Sequence, residues 1–150
     1  MDNSGNSPWE GASGAVLARG VARYLAELGF VSVPEVVPQR GLRVDVMALG
    51  PKGEIWIVEC KSSRADFLSD RKWSGYLPWC DRYYWAVGRD FDLDLLPEDG
   101  GIIIADGYGA EGLRDAPAQL LSPARRRKLT RTFARTAARR LQQLCDPMQP

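Results

Sequence analysis

Apolar positions first recur at helical spacing between Ser13 and Leu28, as Val16 or Leu17, Val21, Tyr24 or Leu25, and Leu28. This predicts an amphipathic helix with Ser13 as N-cap and Gly29 as its stop. The period then changes. Phe30 to Val37 is β-rich, and Pro34 makes it an edge strand or one with a bulge. Glu35 stands out among its valines. After the turn Pro38-Gln39-Arg40-Gly41, the apolar runs Leu42 to Leu49 and Glu54 to Lys61 flank Gly50-Pro51-Lys52-Gly53, the pattern of a hairpin. Ser63, with Asp66 three residues on, starts a helix that runs to about Lys72. Trp73 to Pro78 is irregular, Asp81 to Val87 is a strand, and Phe91 to Gly101 is a surface loop. Ile102 to Ala105 reads as a strand covered on both faces. Tyr108 to Asp115 adds a short hairpin arm. Ser122 as N-cap and Pro123 at the first helical position open a last helix to about Leu144.

The order is helix, three strands, helix, two strands, helix. Sheet and helices interleave, so the expected architecture is α/β, with a mixed central sheet flanked by helices. The hairpin is antiparallel, and a strand arriving after a helix implies at least one parallel pairing. Residues 1–11 read as a disordered lead and 12–146 as a single domain. No stretch is long and apolar enough to span a bilayer, and the amino-terminal residues lack a secretory pattern. The three cysteines, Cys60, Cys80 and Cys145, have no pairing or zinc spacing, so the expected location is a reducing cytoplasm.

Charge changes this picture at one place. Asp45, Glu59 and Lys61 lie inside the two apolar hairpin strands, where charges must be paired or metal-bound. Alternation puts Glu59 and Lys61 on one face and the Cys60 side chain on the other. A register bringing Asp45 beside Glu59 would join two carboxylates and an ammonium. Like charges that close raise one pKa, and a divalent cation relieves the conflict. Oxygen ligands of this type suit Mg²⁺ or Mn²⁺, which can activate water and stabilise charge on a phosphate. Asp45 and Glu59 are therefore the expected metal ligands, with the Cys60 carbonyl and Glu35 as candidate additions and Lys61 acting on water or phosphate. The chain has no histidine, which removes Ser-His-Asp, Cys-His and HEXXH chemistry.

Acid-x-Lys is a weak pattern. With 19 acids and 4 lysines, roughly half a match is expected by chance. There are two, Glu59/Lys61 and Asp70/Lys72, and the second falls in an expected helix. Asp66 and Asp70 read as solvated or capping residues. Strand context and Asp45 set the first apart. Asp45 followed by Glu59-Cys60-Lys61 resembles the motif of the PD-(D/E)xK nuclease superfamily, with Val44 in place of the proline. Leu42 to Leu144 resembles the MmcB-like family of bacterial DNA-repair proteins. The phrases that carry it are Gly53-Glu54-Ile55-Trp56-Ile57-Val58-Glu59, Asp70-Arg71-Lys72-Trp73, Leu95-Leu96-Pro97-Glu98-Asp99 and Ser122-Pro123-Ala124-Arg125-Arg126. The resemblance implies a restriction-endonuclease-like fold and a role in DNA repair. The expected activity is metal-dependent hydrolysis of DNA phosphodiesters.

The last helix carries eight basic residues and no acid, and Arg127, Arg131, Arg135 and Arg139 form an i, i+4 stripe. A stripe of one sign suggests an anionic partner, DNA being the expected one. The bland alternative pairs these arginines with Asp92, Asp94, Glu98 and Asp99. Leu129, Phe133, Ala137, Leu141 and Leu144 form a separate apolar stripe for the core. Most of Trp73, Tyr76, Trp79, Tyr83, Tyr84 and Trp85 read as core aromatics. Lys72 and Tyr76 are the candidates to face substrate. Two rival readings are an inactive nuclease-fold module that binds DNA, and a module that binds a repair-protein partner. No membrane and no small-molecule cofactor are expected.

Overall fold

The computed structural model describes residues 13–148, so the expected amino-terminal lead lies outside the described residues. One six-stranded sheet forms the centre, with its strands side by side in sequence order. They are β1 (Val31–Gln39), β2 (Leu42–Leu49), β3 (Ile55–Lys61), β4 (Arg82–Val87), β5 (Gly101–Ala105) and β6 (Ala110–Arg114). The pairs β3–β4 and β4–β5 are parallel, and the other three are antiparallel. Helices α1 (Ser13–Glu27), α2 (Arg64–Ser69) and α3 (Pro123–Cys145) flank this sheet. The α/β mixed-sheet expectation therefore holds.

Two apolar layers sandwich the sheet. On one face Leu17, Val21 and Leu25 of α1 meet Val46, Val58, Ala86 and Ile103. On the other, Leu129 and Phe133 of α3 meet Met47, Ile57, Tyr83 and Trp85. Only the first half of the α3 apolar stripe is buried. Leu141 and Leu144 are exposed, a correction to the sequence reading. The cause is the extent of the sheet. Arg140 donates to the carbonyls of Pro34 and Glu35 on β1, an edge strand, and beyond it no sheet remains to cover.

Local signals set the boundaries. α1 ends in a Schellman motif, in which Phe30 N donates to Leu25 O (2.9 Å) and Gly29 N to Ala26 O (3.0 Å). Gly29 takes the positive φ of +83° that this cap requires. Gly53 (φ +86°) serves the same need in the β2–β3 turn. Ser63 caps α2 by accepting from Asp66 N, and Ser122 caps α3 by accepting from Arg125 N. α2 stops at Ser69, three residues short of the expected Lys72. A 3₁₀ segment, Trp73–Trp79, replaces the expected irregular stretch.

Candidate functional site

The β2–β3 ladder runs from Leu49↔Ile55 to Val46↔Val58. The next opposed residues are Asp45 and Glu59, and there the backbone ladder gives way to carboxylates. Asp45 N donates to Glu59 Oε1 (2.9 Å), and Cys60 N donates to Asp45 Oδ2 (2.8 Å). The two strands are thus held apart and tied together by the same two side chains. The outer strands bend here too. Glu35, flanked by the pairs Pro34↔Val46 and Val36↔Val44, takes a left-handed φ of 54°. Val33 and Val36 both reach the α3 face, as do Val44 and Met47, so the alternation slips by one on each strand. The pairing register is unchanged across Glu35, so the left-handed backbone there re-aims side chains without inserting a residue, and the register shift comes later, between Val36 and Gln39.

Glu59 and Lys61 are only 4% and 6% exposed, and Asp45 is half-buried. Burial raises the Glu59 carboxyl well above its ordinary range, and the Asp45 charge raises it further. Burial likewise raises Asp45, against the pull of the Cys60 amide, Glu59 and Lys61. Each carboxyl lies within hydrogen-bonding reach of the other. The pair therefore titrates as a unit and keeps a proton at pH values where isolated carboxylates have lost theirs.

Lys61 is compensated differently. Its Nζ donates to Asp70 Oδ2 at 2.6 Å. Burial pulls its pKa down, but the Asp70 hydrogen bond and charge, with Asp66 and Glu59, hold it above the usual lysine value. Asp70, the C-cap of α2, leaves the helix to make this contact and also accepts from Lys72 N (2.8 Å). That explains the early end of α2. Asp70, read as solvated or capping, is thus a capping residue that also pairs with Lys61. The available signal was an acid a short chain distance from a lysine in a buried strand.

Other predicted members lie elsewhere. Glu35 is exposed and lines a groove of about 440 Å³ with Thr132, Arg135, Arg139 and Arg140 of α3. Its side chain faces the arginine helix while Asp45 and Glu59 bond to each other. Tyr76 is 7% exposed and donates to the Arg43 carbonyl (2.9 Å). It therefore cannot present its ring to a substrate. Burial, with Glu59, Asp70 and Asp45 nearby, pushes its hydroxyl up to about 12. Lys72 is exposed, as are Arg127, Arg131, Arg135 and Arg139. Among the described residues none of those four arginines forms an ion pair, so the proposed acids Asp92, Asp94, Glu98 and Asp99 do not cover the stripe. The Cys60 thiol is buried on the α1 side, which leaves only its backbone facing the carboxylates.

The sequence reading missed a second buried acid. Asp81, 5% exposed, accepts from Ile55 N (2.8 Å), Leu121 N (2.9 Å) and both terminal nitrogens of Arg126 (2.6 and 2.7 Å). Its only sequence signal was an acid directly ahead of a buried strand.

The family model for DNA repair protein MmcB-like matches residues 7–148. The chain belongs to the MmcB-like family. Among solved structures it is similar to a protein of unknown function from Silicibacter pomeroyi, at 62% identity and a TM-score of 0.91, over 94% of this chain and 97% of that one. No curated protein matches it.

Whether this MmcB-like site suits a divalent metal is a question of donors. Among the described residues no three His, Cys, Asp or Glu side chains converge as a metal cage. Two carboxylates do meet, and Mg²⁺ is commonly held by one or two carboxylates with water completing its shell. Each carboxylate uses one oxygen on a backbone amide and keeps the other. Two buried polar atoms on the same face, Tyr83 Oη and Trp85 Nε1, have no partner, and Trp85 is the register partner of Glu59. The one free oxygen on each carboxylate fits a hydrated hard cation.

Proposed function

We propose that this chain is a DNA-repair nuclease that hydrolyses phosphodiester bonds with Mg²⁺ or Mn²⁺, on a restriction-endonuclease-like fold of the PD-(D/E)xK type. The observation that carries the reading is the meeting of the buried Glu59 with the half-buried Asp45, beside Lys61. The family description supports a role in DNA repair. The mixed sheet, with its helix and three leading strands, supports the fold assignment.

Asp45 and Glu59 would hold the metal, which would lower the pKa of a bound water and offset charge on the phosphate. The chain's own groups do the rest. Lys61 supplies a fixed positive charge beside the reacting phosphate, and Asp70 holds its ammonium in place. Tyr76 pins the Arg43 carbonyl and so steadies the backbone leading to Asp45. The exposed arginine stripe tracks the DNA backbone. From Arg127 to Arg139 it spans about 18 Å of helix. Its carboxyl-terminal members line the groove beside Glu35, and Glu35 lies opposite Asp45 in the strand register.

One experiment tests both halves. Thermal unfolding is followed with and without Mn²⁺, and cleavage of labelled DNA is followed in parallel, for the wild type and Glu59→Gln. Mn²⁺ should raise the wild-type melting temperature more at about pH 8 than at about pH 5, because it displaces the shared proton. Glu59→Gln should lose both the shift and the cleavage. A metal shift without cleavage would favour the inactive DNA-binding alternative. The Lys61–Asp70 ion pair gives that alternative some weight, since it already engages the lysine. No shift at all would sink the metal site.

A further inference from the structure

Lys61, Val87 and Ile104 are register partners across β3, β4 and β5. Neighbouring strands lie about 4.8 Å apart, which puts Ile104 about 10 Å from Lys61 across the sheet. A cleft of about 310 Å³ opens at Ile104, walled by Arg89, Tyr108 and Glu111. Ile104 packs against the core layer that contains Trp85 and Leu129, so the cleft borders the face that carries Glu59. It also lies at the carboxyl ends of the parallel strands, where α/β sheets gather their ligands.

The turn that forms this cleft is tightly braced. Asp106 Oδ1 accepts from Tyr108 N (2.8 Å) and Gly109 N (3.0 Å). Arg19 Nε donates to the Gly107 carbonyl (2.6 Å), and Arg23 donates to the Tyr108 carbonyl (3.2 Å). All these bonds fix backbone, and Tyr108 itself is left 78% exposed. The Arg19 guanidinium lies over one face of its ring, 5.8 Å from the centroid, which leaves the other face open. The two amides already compensate the Asp106 carboxylate. Among the described residues Arg19, Arg23 and Arg89 form no ion pair, so the rim is positive despite Glu111.

We propose that Tyr108 is a stacking platform for an unpaired DNA base, with Arg19, Arg23 and Arg89 receiving the adjoining phosphates. An exposed ring stacks on any base, and guanidinium groups track the backbone, the two parts of a single-strand site. Ile104, on the cleft lining, lies about 10 Å from Lys61, about three nucleotides at the stacked spacing, and Tyr108 follows four residues later in the turn. This inference rests on the phosphodiester reading of the carboxylate site. It narrows the substrate to DNA with a single-stranded segment beside the point of cleavage.

The test is fluorescence anisotropy with a blunt duplex and with the same duplex carrying a single-stranded tail, in EDTA so that nothing is cut. The wild type should bind the tailed duplex more tightly. Tyr108→Ala should lose about tenfold on the tailed duplex and nothing on the blunt one. Tyr108→Trp should retain wild-type affinity for both. The ring is exposed, so an unchanged melting temperature is expected and confirms folding. Equal affinities for Tyr108→Ala and wild type, or equal losses on both duplexes, would overturn the stacking site while leaving DNA binding intact. A wild type that binds neither duplex would overturn the DNA reading along with it.

Discussion

The two ends of β3 each face a buried acid, and they treat it in opposite ways. At the Ile55 end, Asp81 accepts four hydrogen bonds, two of them from the Arg126 fork. Burial alone would raise its pKa, but Arg126 and the two amides hold it below the carboxylate range. At the Lys61 end, burial raises both Glu59 and Asp45, and the Asp45 charge raises Glu59 further. The nearby ammonium is already engaged by Asp70. One end is a closed staple joining β3, β4 and α3. The other is an unfinished set of charges, which is where a ligand has most to offer.

Removing the staple should give the largest effect. Asp81→Ala strands the Arg126 charge and two backbone donors, Ile55 N at the start of β3 and Leu121 N ahead of α3, with a loss of about 3–5 kcal/mol in denaturant unfolding. A loss under about 1 kcal/mol would show that the staple is no more than a surface pair. Next comes Asp70→Asn, which leaves Lys61 buried without its counter-charge. It should destabilise by about 2 kcal/mol. An unchanged midpoint would mean that Lys61 finds another partner.

The comparison also predicts opposite pH behaviour. Asp81 has a lowered folded pKa, so its stabilisation is present above the ordinary carboxylate range and is lost as pH falls through the lowered value. Glu59 has a raised one, so its contribution is full below the ordinary value and is lost as pH rises through the raised value. Glu59→Gln keeps an acceptor for Asp45 N and removes the repulsion. Without metal it should gain about 1 kcal/mol at about pH 8. For a chain of this size that is a rise of about 2–4 °C in melting temperature. A mutant less stable than wild type at that pH would mean that the pair is already relieved.

Much of this contrast was legible in the sequence on one side only. The hairpin turn fixes the β2–β3 register, and register plus alternation place Asp45 against Glu59 without any knowledge of the rest. Ser63, Ser122 and Gly29 announced their caps because capping is local chemistry. The Asp81 staple was not legible. Its partners Ile55, Leu121 and Arg126 are spread over 71 residues and meet only after β3, β4 and α3 have packed. Asp70 was hidden by the expected helix, because its tie to Lys61 overrides the local helical preference. The exposure of Leu141 and Leu144 depends on where the sheet ends, and periodicity carries no information about that.

Glu35 gives the smallest and most discriminating prediction. It was a candidate metal ligand, yet the structure turns it into the arginine groove at a left-handed backbone position. A non-glycine residue held there is strained by about 1 kcal/mol or more. Glycine adopts that conformation freely but has more chain entropy to lose on folding. Glu35→Gly should therefore gain about 0.5 kcal/mol. Its Mn²⁺-induced thermal shift should equal that of the wild type. If the shift disappears instead, Glu35 swings into the carboxylate pair when metal binds, and the open end of β3 is completed from the edge strand.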